Sequence, residues 1–217
     1  MKAGFGMADG GWPAVAIGEL VEPVKTWNPS RAPSDDIFNY IDLSAVDQDT
    51  KRIIGARQVS CCEAPSRTRQ LVIYGDVLVS TVRPNLNSVA RVPVELDGAT
   101  VSTGFCVLRP RALKLDGSYL FHWTKTALFV TNMSNKATGA NYPAVSERAV
   151  FDSQIPLPPL AEQRRIATIL DAAEALREKR RQSLAKLEIL TQAIFLDKFG
   201  DPSSSTKDWR SSFFKDF

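Results

Sequence analysis

Residues 82–91, VRPNLNSVAR, carry side chains that can read the edges of DNA bases. Pro84 predicts a turn, and the turn presents Arg83, Asn85 and Asn87. Arginine pairs bidentately with guanine in the major groove and asparagine pairs bidentately with adenine, so these residue types suit base recognition. Asparagine and proline also form ordinary turns without any ligand, and the sequence leaves that alternative open.

A second loop, NKATGANYPAVS at residues 135–146, has a similar polar character. It offers Lys136, Thr138 and Asn141 around a permissive Gly139. Ammonium, hydroxyl and amide groups all contact bases or phosphates in DNA complexes. We therefore treat these three side chains as further candidates for base and backbone contacts, although a plain turn again explains the composition.

Basic side chains gather between residues 51 and 69, where a single acid accompanies five positive groups. The basic residues are Lys51, Arg52, Arg57, Arg67 and Arg69, and the acid is Glu63. Positive groups near one surface neutralise phosphates and hold a duplex. We expect Arg57, Arg67 and Arg69 to contact DNA phosphates.

Signatures of catalysis are missing from the sequence. It contains no glycine-rich phosphate-binding loop of the ATPase type. The three cysteines and the single histidine, His122, do not have the spacing of a zinc site. His122 lies within a predicted helix beside Trp123, where a structural role is the simpler interpretation. We therefore expect a protein that is not an enzyme and that has neither a cofactor nor a metal.

Composition narrows the class of protein further. The chain of 217 residues has a formal net charge of +3, which is mild but compatible with a local DNA-binding patch. It has no apolar run long enough to cross a membrane, and its N-terminus lacks the pattern of a secretory signal. Cys61, Cys62 and Cys106 are odd in number and form no CxxC motif, which favours reduced thiols in the cytoplasm.

Residues 12–155 predict one mixed domain. Short strand-like runs occupy most of residues 37–108, with proline and glycine between them. Residues 116–130 instead predict a helix that Asp116 or Ser118 would cap. The predicted fold class is α+β, with a β-rich globular domain followed by one long helix.

Residues 160–199 predict that long helix. They contain neither proline nor glycine and are rich in strong helix formers. Forty helical residues span about 60 Å. Gly200 is a natural residue to end the helix, and Pro202 blocks its continuation.

A narrow apolar seam follows the predicted helix at heptad spacing and is interrupted by Arg180 and Ser183. Its members are Ile169, Ala173, Leu176, Leu187, Leu190 and Ile194. A seam of this width predicts pairing with another helix in a coiled coil. The alternative is a long helix packed on its own domain.

Several of these segments together resemble one known family. They are GDVLVSTVRPNLNSVA, STGFCVLRP, GANYPAVSERAVFDSQIPLPPL, IPLPPLAEQRRIATILD and LDKFGDP. They are similar to the target recognition domain, and to its junction with a conserved helix, in the specificity (S) subunits of type I restriction–modification systems. The resemblance covers residues 12–202, and the PLPPLAEQ segment is its most specific part.

The resemblance implies a function without catalysis. A full S subunit carries two target recognition domains, each followed by a long helix, and the helices pair antiparallel. Each domain reads one half of a bipartite DNA target. The helices set the spacing and dock the methyltransferase (M) subunits, while methylation and cleavage belong to the M and restriction (R) subunits.

This chain is expected to correspond to half of such a subunit. We expect four segments: a flexible start at residues 1–11, a target recognition domain at 12–155, a proline junction and helix at 156–200, and a linker at 201–217. The last segment resembles the start of a second repeat. With one seam and no partner helix in the chain, we expect an antiparallel homodimer that reads double-stranded DNA.

Two other classes of protein remain as alternatives. One is a coiled-coil scaffold whose globular domain binds protein and not DNA. The other is a fragment of a fused methyltransferase, which the missing cofactor and catalytic motifs disfavour.

Overall fold

We describe a computed structural model of the chain, and the description covers residues 11–200. The predicted flexible start, apart from Gly11, and the predicted linker with its repeat-like stub at residues 201–217 lie outside the described residues.

The described residues contain twelve strands and four α-helices. The strands are β1 (Ala14–Ala16), β2 (Val21–Glu22), β3 (Ile37–Ile41), β4 (Val46–Asp47), β5 (Arg52–Ile53), β6 (Arg57–Ser60), β7 (Thr68–Leu71), β8 (Val77–Ser80), β9 (Val89–Arg91), β10 (Thr100–Ser102), β11 (Phe105–Pro110) and β12 (Gln154–Pro156). The helices are α1 (Gly117–Thr124), α2 (Ala127–Lys136), α3 (Glu147–Phe151) and α4 (Leu160–Phe199).

Two four-stranded sheets form the β-rich part of the fold. The first has the order β6-β3-β10-β7, and its central pair β3–β10 is parallel, with Tyr40 opposite Thr100. The second has the order β2-β11-β8-β9 and is antiparallel throughout. The short pairs β1–β12 and β4–β5 complete the strand pairing among residues 11–200.

The pair β8–β11 is buried on both of its faces. Leu78 and Val107 point to one side, where they share a core with Ile41 and Val101 of the first sheet. Because side chains alternate along a strand, the neighbouring residues point to the other side. A strand buried on both faces reads as a continuous apolar run, which is why residues 77–82 resemble a strand in sequence.

The second face of this pair packs against helices. Cys106 and Leu108 of β11 share a core with Leu120 of α1 and with Phe129 and Met133 of α2. The fold therefore consists of two sheets with helices packed on the outer face of one of them. This arrangement confirms the α+β prediction.

The helix predicted over residues 116–130 is in fact two helices. Asp116 caps α1 as expected, since its Oδ1 accepts from Tyr119 N at 3.0 Å. The prediction of one continuous helix is wrong because Thr126 adopts an extended conformation and begins α2, where its side chain accepts from Phe129 N at 3.3 Å. A threonine side chain that caps a new helix competes with continuation of the old one.

Helix α4 runs over the predicted residues and is followed by Gly200 at φ 78°, as expected for a residue that ends a helix. The described residues divide into two compact units, one ending at Ile169 and the other beginning at Leu170. The division falls within α4, because the first turns of the helix pack with the domain before it. None of the helices within residues 11–200 has the length and hydropathy of a membrane-spanning segment.

Gln163 fixes those first turns. The side chain is 1% exposed and forms three hydrogen bonds with main-chain groups. Its Oε1 accepts from Asp116 N at 2.9 Å, and its Nε2 donates to Lys114 O at 3.1 Å and Pro158 O at 2.9 Å. All four positions lie in the first unit, so one amide joins the start of α4 to the start of α1 and to the proline segment.

We expect Gln163→Ala to lower the free energy of unfolding by about 1–3 kcal/mol, because three main-chain groups lose their partner. Thermal unfolding followed by circular dichroism measures the effect. Gln182→Ala is the matched control: the same change on the same helix, at an exposed side chain bonded only to Glu178. The control should stay within about 0.5 kcal/mol of the parent. Equal shifts for the two variants would contradict this role for Gln163.

Candidate nucleic-acid interface

The two loops selected from the sequence lie side by side. Val82 and Ala144 form an antiparallel bridge, so residues 81–83 pair with residues 143–145. The main-chain N–H of Arg83 donates to Pro143 O at 2.7 Å. The structure thus joins, through main-chain bonds, two groups of candidate side chains separated by about fifty residues of sequence.

Arg83 is presented on an aromatic ring. Its guanidinium carbon lies 4.8 Å from the centroid of the Tyr142 ring, within the range of a cation–π contact. Both side chains are exposed. An arginine that stacks on an aromatic face can keep the edge of its guanidinium free for bidentate recognition of guanine.

The turn that carries Arg83 is strained. A 3₁₀ turn over Pro84–Leu86 lies between Arg83 and Asn87, and both flanking residues are left-handed at φ 48°. Asparagine tolerates this conformation better than arginine does. Such strain costs on the order of 1 kcal/mol for each residue and persists where the surroundings impose it.

Among the other candidates of the two loops Asn87 is partly buried, and the exposed ones are Asn85, Lys136, Thr138 and Asn141. Asn85 lies within the 3₁₀ turn, and Lys136 is the last residue of α2. Thr138 exchanges two main-chain hydrogen bonds with Ala144, both at 2.9 Å, which shapes the loop that carries Asn141. That loop depends on a glycine, Gly139, at φ 102°, where a Cβ atom would lie 3.0 Å from Tyr142 O.

The three phosphate candidates do not form one patch. Arg57 lies on β6 and Arg69 on β7, and these strands are the opposite edges of the first sheet. Three strand spacings separate the edges, or about 14 Å. The Arg57 guanidinium lies 5.5 Å from the Tyr40 ring centroid and 3.8 Å from a carboxylate oxygen of Asp42. Arg67 is exposed just before β7.

Arg69 borders a cleft of about 750 Å³ that sequence reasoning missed. Trp27 and Arg31 also line it, and Trp27 Nε1 donates to Thr100 Oγ1 at 2.9 Å. Glu147 lies in the same cleft, and burial raises the pKa of its carboxyl group. In the sequence, the signals for this cleft are a tryptophan and an arginine within a proline-rich segment. The cleft itself forms only when strands that are distant in sequence pair.

The predicted seam on α4 is open along its length. Ala173 is partly buried. The other five members are each more than half exposed, and they are Ile169, Leu176, Leu187, Leu190 and Ile194. Towards the end of the helix Phe195 and Phe199 are also exposed, with their ring centroids 4.9 Å apart. A single chain leaves this apolar surface in water, which is typical of a surface that another helix covers.

Comparison with known proteins finds relatives of this chain in one family. Residues 71–188, more than half of the chain, match the family model of the type I restriction modification DNA specificity domain. The EcoDI specificity subunit of Escherichia coli is 28% identical over 145 residues, which cover 63% of this chain and 30% of that protein. The EcoKI specificity subunit of E. coli K12 is 41% identical over 68 residues, 31% of this chain and 14% of that protein.

Solved structures extend the likeness over nearly the whole chain. The HsdS subunit from Thermoanaerobacter tengcongensis is 34% identical with a TM-score of 0.74, and the match covers 96% of this chain and 54% of that one. A chain from a structure of an assembled type I R-M system is 32% identical, also with a TM-score of 0.74, over 94% of this chain and 53% of that one. The chain therefore spans about half the length of these solved relatives and about a third or less of the two curated ones. Because the family model matches residues 71–188, more than half of the chain, the chain belongs to the type I restriction–modification DNA specificity family.

Proposed function

We propose that this chain is a DNA sequence-recognition subunit of a type I restriction–modification enzyme and reads one half of a bipartite target. The observation that carries the proposal is the junction of the two polar loops, with Arg83 stacked on Tyr142 at their contact. Membership of the specificity family supports the same function. The relatives that the chain resembles are named specificity subunits.

Base recognition is assigned to the paired loops. Arg83 would pair with a guanine, and Asn85 and Asn87 would offer amides to adenines. Lys136, Thr138 and Asn141 would add base or backbone contacts from the neighbouring loop. Because the strained turn is already formed in the free protein, binding does not have to order it, which favours affinity and a defined register.

Phosphate contacts are assigned to two separate places. Arg67 and Arg69 serve the β7 edge of the first sheet, and Arg57 serves the β6 edge. Each phosphate that they neutralise would make the negative slope of log affinity against log salt concentration steeper by about 0.9. Contacts at both edges would fix the orientation of the domain on the duplex.

The long helix is assigned to assembly. We propose that residues 12–155 form the target recognition domain, and that residues 156–200 dock the methyltransferase subunits, with the restriction subunits joining the same complex. The seam would pair antiparallel with the α4 of a second copy. Chemistry would belong to the partners, so the chain itself is proposed to be non-catalytic, and it would act in the cytoplasm together with the DNA.

The open seam also favours a second candidate function, a coiled-coil scaffold that does not bind DNA. The two functions differ in a simple measurement. A DNA-reading subunit is retained on immobilised duplex with a steep dependence on salt, with or without methyltransferase present. A scaffold is not retained at any salt concentration.

We expect Arg83→Ala to reduce discrimination at one base position by about 1–3 kcal/mol while affinity for unrelated duplexes changes little. The measurement is selection of bound DNA from a random pool, followed by titration of the selected duplex and its single-base variants. Arg83→Lys is the matched variant, because it keeps the positive charge but loses the bidentate fork. It should lose discrimination nearly as fully as Arg83→Ala. Equal weakening on all duplexes would instead identify Arg83 as a phosphate contact, and no change would remove it from the interface.

We expect Leu187→Ser to weaken self-association by at least about a hundredfold, because each copy in the dimer loses one buried leucine side chain. Sedimentation velocity across a concentration series measures the dissociation constant. Lys186→Ser, the neighbouring position off the seam, should leave the constant within about threefold of the parent value. A parent chain that stays monomeric at high micromolar concentration would contradict homodimer formation.

A further inference from the structure

The turn between β4 and β5 is rigid and holds a lysine in an unusual conformation. Lys51 is left-handed at φ 56°, and its N–H donates to Asp47 O at 2.9 Å. The Asp47 carboxylate accepts from both the N–H and the hydroxyl of Thr50, each at 2.6 Å. A non-glycine residue in this conformation persists only where its surroundings impose it.

The hairpin that carries this turn is anchored in the domain core. Val46 of β4 pairs with Ile53 of β5. Val46 is buried in the core between the two sheets, and Ile53 packs against that core. The turn therefore has little freedom to move, and the base of the Lys51 side chain is a fixed point.

The Lys51 ammonium group reaches across to the candidate reading turn. Its Nζ donates to the main-chain carbonyl of Asn87 at 2.6 Å. The side chain is only partly exposed, and burial is the largest cause that lowers its pKa. An exposed lysine keeps its charge available to a phosphate, whereas this ammonium group donates to a carbonyl of its own chain.

The reading turn is thus held at both of its left-handed ends from outside. Arg83 is held through its N–H by Pro143 O at 2.7 Å. Asn87 is held through its carbonyl by Lys51 at 2.6 Å. The main-chain bond from Ser80 N to Ser88 O, at 2.9 Å, closes the base of the loop independently of Lys51.

We propose that Lys51 is a positioning residue for DNA recognition, which fixes Asn87 and thereby sets the angle at which the turn presents its side chains to base edges. The inference rests on the proposed function of that turn. The proposed role distinguishes Lys51 from the basic residues that would contact phosphates. Its role is to select sequence without touching the duplex.

The test uses Lys51→Met in the full chain, because methionine keeps an unbranched stem and removes the donor. Lys114→Met is the matched control, since Lys114 is an exposed lysine of the same domain. The first readout needs no DNA: hydrogen exchange of the Leu86 and Asn87 amides, which bond to Arg83 O and Pro84 O. We expect these amides to exchange at least about tenfold faster in Lys51→Met and unchanged in Lys114→Met.

The second readout is DNA selection from a random pool, with titration of the selected duplex at several salt concentrations. We expect Lys51→Met to lose about tenfold in discrimination at the bases read by the turn, with its salt slope unchanged. A salt slope that is shallower by about 0.9, with an unaltered selection profile, would overturn the proposal, because Lys51 would then be a phosphate contact. Unchanged amide exchange would overturn it as well, whatever the binding result.

Failure of the proposed function gives a different result. If Arg83→Ala leaves DNA selection unaltered, the turn does not read DNA bases. This conclusion holds for any rate of amide exchange measured in Lys51→Met. If Arg83→Ala alters selection but Lys51→Met does not, the turn reads DNA and the positioning role of Lys51 is wrong.

Discussion

The β8–β11 pair is the constraint on which the candidate interface depends. Both faces of this pair are buried, one against the first sheet and one against the helices. Neither strand can shift without opening a core, because interiors of this kind are closely packed. The chain leaves β8 directly into the turn that carries Arg83. The position of that turn is therefore set by a pair of strands that is buried on both faces.

Thr81 extends this constraint to the second loop. It is buried, and both its N–H and its hydroxyl donate to Gly104 O at 2.9 Å, beside the start of β11. Its own carbonyl accepts from Val145 N at 2.9 Å, which places the end of the second loop. One residue at the end of β8 thus joins the sheet to both loops. A surface built in this way presents polar side chains on a rigid frame, as sequence-specific recognition requires.

Sequence predicted the parts of the molecule that local chemistry determines. Helix α4 follows from forty residues without proline or glycine, and its end follows from Gly200. The break between α1 and α2 was missed because Thr126 has no strong local signal against a helix. The separation of Arg57 from Arg69 could not be predicted from the sequence either. It depends on β3 and β10 lying between β6 and β7, and such long-range pairing leaves no trace in spacing along the chain.

The proline segment before α4 also shows the difference between what local sequence determines and what long-range contacts determine. Prolines restrict the chain and prevent an early helix, which the sequence shows directly. They do not by themselves fix where the helix starts on the domain. Pro159 O accepts from Glu162 N at 2.8 Å and Gln163 N at 3.0 Å, and Pro158 O accepts from the Gln163 side chain. The prolines thus make the segment before α4 stiff, and one buried amide fixes where the helix starts on the domain. Any spacing imposed by α4 depends on its starting point, and Gln163 fixes that point on the domain.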